Sequence, residues 1–300
     1  MTRAAPAVEP TALEWMDLHL RCLYHHDEAG RILAARQPGG RPGVLFHLGR
    51  TPLGNLWRFG ADLDAALVRD LARLAARESA LGRPGQAPGP PLAEGPQLAE
   101  GLQLAEGPQL AEGPQLAEGP QLAEGPRLAE GPPVLPERLE AIRRTLTARF
   151  GTLREWRGPA FHFPRVIPIP EGDLPIEAIA PDHASLLGQD FADWRSELAD
   201  RQPCVAALQD GLAVALCCCS RPLAVPGSPA CPAAEAGVET RPANRGEGLA
   251  SRVVAAWAVA VRARGAEPIY STHWDNHASR GVARKLGLIA YGEDLHFSAG

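Results

Sequence analysis

Residues 91–132 repeat the unit Leu-Ala-Glu-Gly every six positions from Leu92, mostly as LAEGPQ. A proline in almost every unit removes a backbone donor, and each unit offers a single large apolar side chain. Such units cannot bury enough surface to offset chain entropy, which argues against stacking as a left-handed hexapeptide β-helix. The repeat is expected to be an extended, mobile, low-complexity spacer, an expansion inside an interdomain linker. Deleting residues 91–131 is expected to leave folding and activity nearly intact. Folded structure is therefore confined to two stretches, an N-terminal α+β module at 1–85 and a larger domain at 135–300, with the linker at 86–134.

Composition narrows the class. Of the 300 residues, 45% are hydrophobic, enough for a sizeable core, and the formal charge is −5. With no basic field, nucleic acid and anionic membrane surfaces are not expected partners. No apolar run approaches the roughly 20 residues of a membrane span. The start MTRAAPAVEP carries no apolar signal core, so a cytoplasmic protein is expected.

Two clusters of potential metal ligands are set aside. Cys217, Cys218 and Cys219 are adjacent in a strand-like run, and neighbouring strand residues point to opposite faces, so they cannot converge on one ion. They are expected to fill a central strand as small apolar residues. His25, His26 and Asp27 stand at a turn without the spaced partners a zinc site needs. No metal site is expected.

The N-terminal stretch is expected to run helix 11–23, turn 27–30, strand 31–35, strand 44–48, strand 56–59 and helix 63–78. After the linker come a helix at 136–150, a proline-rich extended chain at 159–175, a short helix near 191–199, a hairpin of 204–208 with 212–219, and a strand at 233–240. A long helix at 249–264 follows, its apolar face marked by Leu249, Val253, Val254, Trp257 and Val261 and its end by Gly265. A strand at 267–273, a helix at 276–286 and a final short strand at 291–297 complete the chain.

The hexapeptide Arg245-Gly-Glu-Gly-Leu-Ala250 sits between that strand and the long helix. Glycines let a backbone approach a ligand closely. The unpaired N–H groups and the dipole of a helix start favour phosphate. Taken alone, Gly-x-Gly is equally compatible with an ordinary turn. The loop lacks the Gly-Lys-Ser/Thr of a Walker loop and the third glycine of a dinucleotide fingerprint.

The pattern Arg-x-x-Gly-x-Ala, followed by Asn276, Lys285, Gly287 and Leu288, resembles the GNAT family of acetyl-CoA-dependent N-acetyltransferases. The runs YSTHWDNHASRGVARKLGL, HHDEAGRILAARQPGG and FHLGRTPLGNLWRF are similar to a mostly uncharacterised actinobacterial-type subgroup with an N-terminal extension. The resemblance implies an α+β fold with a mixed, mostly antiparallel sheet flanked by helices. It implies acetyl-CoA as co-substrate and a small-molecule or protein amine as acceptor, attacked directly in a ternary complex.

By the same resemblance Arg245, Gly246, Gly248, Leu249 and Ala250 would hold the pyrophosphate, and Asn276 would bond the pantetheine arm. Main-chain groups at Val238 and Thr240 would bond the thioester end. Glu235 shares a strand face with Glu239 and is the favoured general base, with a pKa raised toward neutrality by burial. Many members of the family carry a tyrosine seven residues after the asparagine as general acid, but here that position is Ala283. Tyr291, Tyr270 and Ser271 are candidates for the role, Tyr291 being favoured, and His273 and His296 are possible proton shuttles. Loss of the tyrosine also keeps open a non-catalytic acyl-CoA-binding module. The N-terminal region either covers the acceptor side or helps form a homodimer; the sequence does not choose.

Overall fold

The structure is a computed structural model that describes residues 9–37, 43–81, 135–224 and 230–300. The repeat and the linker expected at 86–134 lie outside the described residues.

Helix α1 (Ala12–Leu23) opens on a capping box, in which Thr11 Oγ1 accepts from the Glu14 N–H and the Glu14 carboxylate accepts from the Thr11 N–H. It leads into β1 (Tyr24–His26), which pairs with β2 (Ile32–Ala35) as a separate antiparallel ribbon. His25 and His26 thus belong to a strand, not to the turn expected for them. β3 (Phe46–Thr51) and β4 (Gly54–Phe59) form a hairpin, and Asp64 caps α2 (Ala65–Ala75) by accepting from the Leu67 N–H.

Beyond the linker come α3 (Glu137–Phe150), β5 (Leu153–His162), β6 (Ile176–Ala178), α4 (Ala192–Ser196), β7 (Cys204–Gln209) and β8 (Leu212–Cys219). Asp210 and Gly211, at φ 52° and 78°, supply the two positive φ angles of a type I′ turn between β7 and β8. The chain closes with β9 (Ala233–Thr240), α5 (Leu249–Arg262), β10 (Glu267–Ser271), α6 (His277–Lys285) and β11 (Ile289–Ala299).

Nine strands form one sheet in the order β4-β3-β11-β5-β10-β9-β8-β7-β6. Every neighbouring pair is antiparallel except β9 with β10. The α+β class and the mostly antiparallel sheet read from the sequence are observed. The N-terminal strands extend this same sheet, because β3 pairs with β11 from Phe46↔Phe297 to Arg50↔Glu293.

Helices cover both faces. Leu295 and Phe297 of β11 and Phe46 and Leu48 of β3 pack under α2 and α3. Cys217 and Cys219 of β8 and Ala234 of β9 pack under α5. On the opposite face, Ala233, Ile269 and Tyr291 meet α1, while Cys204 and Cys218 pack with Phe191 and Leu198 at α4. The three consecutive cysteines alternate between faces as strand geometry requires, and all six cysteines are buried and unbridged.

Two elements differ from the sequence reading. The stretch expected as proline-rich extended chain at 159–175 begins inside β5, a central strand. Pro159 is tolerated there because β10 pairs with β5 only as far as Ser271↔Ala160, so the missing N–H falls at the end of that ladder. The last strand is longer than expected, running Ile289–Ala299, because β3 and β5 pair with it on both sides. Arg252 and Arg262 of α5 donate to the carbonyls of Gly172 and Leu174 and of Phe163, Pro164 and Arg165, fastening the chain after β5 to that helix.

Candidate active site

β9 and β10 pair in parallel only from Ala233↔Glu267 to Glu235↔Ile269. Beyond that point β9 continues to Thr240 along β8 alone, and Tyr270 and Ser271 continue along β5 alone. A wedge therefore opens in the middle of the sheet. The Glu235 carbonyl accepts from the Ser220 N–H, and the Arg241 N–H donates to the Val214 carbonyl. Main-chain groups alternate in direction along an antiparallel strand, so those of Val238 and Thr240 face the wedge. Thr240 Oγ1 is also buried and has no partner among the described residues.

The chain reaches α5 through a short 3-10 turn at Pro242–Asn244. Gly246 and Gly248 have φ of 87° and 78°, and Gly248 is the N-cap of α5 in left-handed geometry. The left-handed region is nearly closed to residues bearing a Cβ, which is why glycine stands there. Space around Gly246 is open, and a Cβ on Gly248 would come within 2.9 Å of Lys285 Nζ. Lys285, at the end of α6 and on the same cavity wall as Arg245, thus brings a second cation to a helix start that already favours anions. The sequence pattern contained Lys285 without assigning it to the site, because the contact spans two helices. Asn276 caps α6, its Oδ1 accepting from the Ser279 N–H at 3.0 Å.

These groups line a cavity of about 1650 Å³. Its wall runs from the glycine loop past Thr240, Glu235 and Tyr270 to Asp294 and His296. Leu249, Ala250, Val238 and Asn276 are also on that wall. Tyr291 is not among its lining residues: it is buried beneath α1, its ring 6.2 Å from that of Trp15 and 6.1 Å from that of His19. Burial, with the nearby charges of Glu235 and Asp294, pushes the Tyr291 pKa well above its ordinary value.

Glu235 is the electrostatic centre of the wedge. Its Oε1 lies 3.2 Å from His19 Nε2 and accepts from Ser271 Oγ, and its Oε2 accepts from Ser220 Oγ at 2.6 Å. The expectation of a raised pKa is corrected here. Burial does push upward, but His19, by bond and charge, together with the two serines, holds the Glu235 carboxyl down at about 2. Burial would conversely lower the His19 pKa, and Glu235 outweighs it, so that pKa lies above its ordinary value. His19 comes from α1 and had no role in the sequence reading; nothing in the chain near it signals a carboxylate 216 positions away. Glu239, on the same strand face, accepts from Trp194 Nε1.

Tyr270 puts its hydroxyl 2.6 Å from Ser279 Oγ, under the first turn of α6. Burial raises its pKa, against the lowering effect of the Ser279 bond. Ala283, the position where the sequence resemblance implied a general-acid tyrosine, is packed in the α5 core. No helix among the described residues is long and apolar enough to cross a membrane.

Comparison with known proteins locates the likeness in this same region. Residues 235–296 match the family model described as FR47-like protein. No curated protein matches. Among solved structures, a GCN5-related N-acetyltransferase-like protein from Streptococcus suis is 16% identical with a TM-score of 0.38, over 54% of this chain and 68% of that one. A GNAT-family acetyltransferase from Colwellia psychrerythraea is 16% identical with a TM-score of 0.37, over 55% of this chain and 63% of its own. An aminoglycoside N-acetyltransferase solved in complex with CoA is 26% identical with a TM-score of 0.30, over 37% of this chain and 89% of its own.

Proposed function

We propose, from the premise that this chain is a GNAT-family protein by its FR47-like, GNAT-related residues 235–296, that it transfers an acetyl group from acetyl-CoA to a primary amine of a small molecule or protein. The observation that carries this reading is the parting of β9 from β10 beside a helix start built on left-handed Gly248. A thioester carbonyl laid in the wedge meets main-chain donors aimed at it, and a diphosphate meets bare amides with Arg245 and Lys285 beside them. The coenzyme set is Val238, Thr240, Arg245, Gly246, Gly248, Leu249, Ala250 and Asn276, with Lys285 added. The Asn276 side-chain oxygen is occupied in capping α6, which leaves its amide N–H₂ to face a pantetheine arm.

The acceptor ammonium first loses one proton to solvent; its neutral nitrogen then attacks the thioester carbon in a ternary complex, the C–N bond forms, the C–S bond breaks, and the nitrogen gives up a second proton. Glu235, ionised at neutral pH, draws a cationic acceptor to the wedge and orients it. The carboxylate has little proton affinity of its own, so the released proton passes along it to His19 in the fraction of the enzyme whose imidazole is unprotonated, and Glu235 raises that imidazole's affinity. The departing thiolate takes its proton from Tyr270, re-supplied through Ser279. Tyr291, away from the cavity wall, tightens the α1 contact that positions His19. Positioning of the two substrates supplies a large share of the rate. The transferase unit is residues 135–300, and α1 completes its acceptor side.

Ala283 favours one other reading, a non-catalytic acyl-CoA-binding module. Thiol release from acetyl-CoA across a panel of amines separates the two. The first reading requires release with at least one amine, and coenzyme binding without release under any acceptor would establish the second.

A further inference from the structure

His47, Asp294 and His296 converge on the α1 face of the sheet, and their candidate ligand atoms all lie within 4.8 Å of one another. No other such group of three or more His, Cys, Asp or Glu occurs among the described residues. Strand geometry builds the cluster. His47 of β3 is the direct cross-strand partner of His296 in β11, and Asp294 is two residues before His296 on the same face. Sequence reading set metals aside because it looked for spaced ligands along the chain. These ligands come from opposite ends of it.

Hydrogen bonds account for the polar atoms here only in part. His47 Nε2 stands 2.9 Å from Asp294 Oδ1, and His296 Nδ1 stands 3.9 Å from that same oxygen. The two rings thus share one carboxylate oxygen through poorly directed contacts, and His47 Nδ1 has no hydrogen-bond partner among the described residues. His47 is fully buried and Asp294 is 1% exposed. Buried polar atoms are normally satisfied, because leaving them unpaired costs about 1–3 kcal/mol each. Two imidazoles and a carboxylate whose ligand atoms lie this close together suit a divalent ion. Bonds of about 2.0–2.2 Å to nitrogen and oxygen bring ligand atoms to roughly the spacings seen.

Aromatic rings hold the ligands in place. Trp156 stacks on the His296 ring at 5.4 Å, and Tyr24 meets the His47 ring edge-on at 5.6 Å. Asp294 and His296 are on the wall of the central cavity, so one side of the cluster stays open to a water or a substrate atom.

We infer that His47, Asp294 and His296 bind one divalent transition-metal ion, and that zinc suits the set best. Two histidines and one carboxylate with an open fourth position form a ligand set typical of accessible zinc sites. Imidazole donors exclude the hard cations magnesium and calcium as the preferred occupants. The site is independent of the acetyl-transfer reading and stands if that reading fails.

The experiment uses the full-length protein stripped by a chelator and titrated calorimetrically with zinc chloride, then separately with cobalt chloride while visible absorption is followed. One zinc per chain is expected, with intense cobalt ligand-field bands of a four-coordinate nitrogen–oxygen site. H296Q is the key variant, because His296 is partly exposed and its loss should not prevent folding. Its zinc affinity should fall by more than the roughly 10–100-fold that loss of an outer partner costs, with thermal unfolding of the stripped protein unchanged. D294N should lose zinc affinity as well. Absence of saturable zinc uptake, uptake undiminished in H296Q (an ion held by cysteines or surface groups), or a six-coordinate cobalt spectrum would each overturn the assignment and leave a purely structural His-Asp-His cluster.

Discussion

Glu235 and Ile269 are the last residues through which β9 and β10 pair, and one step further the two strands diverge. The same residue that closes the ladder also carries the carboxylate held by His19, Ser220 and Ser271. The backbone opening and the charge beside it therefore share one position. A bound thioester and an ammonium acceptor would meet there.

Glu235→Gln should separate chemistry from coenzyme binding. Turnover is expected to drop by about 100-fold, in the range lost with a general base, while acetyl-CoA affinity by calorimetry stays within about twofold. Equal loss of both would mean that Glu235 supports the fold rather than the reaction.

The same substitution has a pH signature. The folded carboxyl sits at about 2 against a reference of 4.5. Its contribution to stability is thus complete above that reference and fades as pH falls toward the folded value. His19, raised above 6.5, contributes below that reference and loses its share as pH rises through its folded pKa. The stability gap between wild type and Glu235→Gln should be widest between the two reference values and shrink as the solution is acidified below 4.5. Urea midpoints measured along that acid series provide the check, and a gap that grows on acidification would contradict the pairing.

Gly248→Val tests the phosphate loop. A β-branched residue forced to φ 78° costs about 1–2 kcal/mol of backbone strain, and its Cβ displaces the Lys285 ammonium. Acetyl-CoA affinity is expected to weaken by at least about tenfold, or 1.4 kcal/mol. Retained affinity in a folded variant would remove the loop from the binding site.

Tyr270→Phe should slow turnover by about 100-fold if the Tyr270–Ser279 pair delivers the proton to the leaving thiolate. The effect should be smaller with an acyl donor whose leaving group has a lower pKa. An effect of the same size for both donors would assign Tyr270 a packing role.

Glu293 ties β11 to β3 and β5. It is fully buried and bonds Arg50 at 2.9 Å, Arg157 at 2.7 Å and Trp274 at 2.8 Å. Glu293→Ala leaves two buried guanidinium groups without this carboxylate, and a loss of about 3–5 kcal/mol in unfolding free energy is expected. Denaturant unfolding monitored at the tryptophans measures it.

Much of the architecture was legible along the chain because it rests on short-range rules. Gly246 and Gly248 before a 3.6-period helix, Gly265 at its end and the Asp210-Gly211 turn all act within a few residues. Each of these appears in the structure at the expected position. The long final strand and the strand around Pro159 were not legible, because both depend on neighbours from elsewhere in the chain. β11 keeps its length only because strands from both sides of the linker pair with it.

The chemistry divides in the same way. By itself the sequence determined a glycine-built helix start and the strand leading to it, since local backbone geometry dictates both. Only the tertiary structure decided the ionisation state of Glu235, the arrival of Lys285 at the loop, and the meeting of His47 with Asp294 and His296. A pKa or a ligand set depends on which charges and lone pairs end up within a few ångströms. Separation along the chain carries no information about that until strands pair and helices pack.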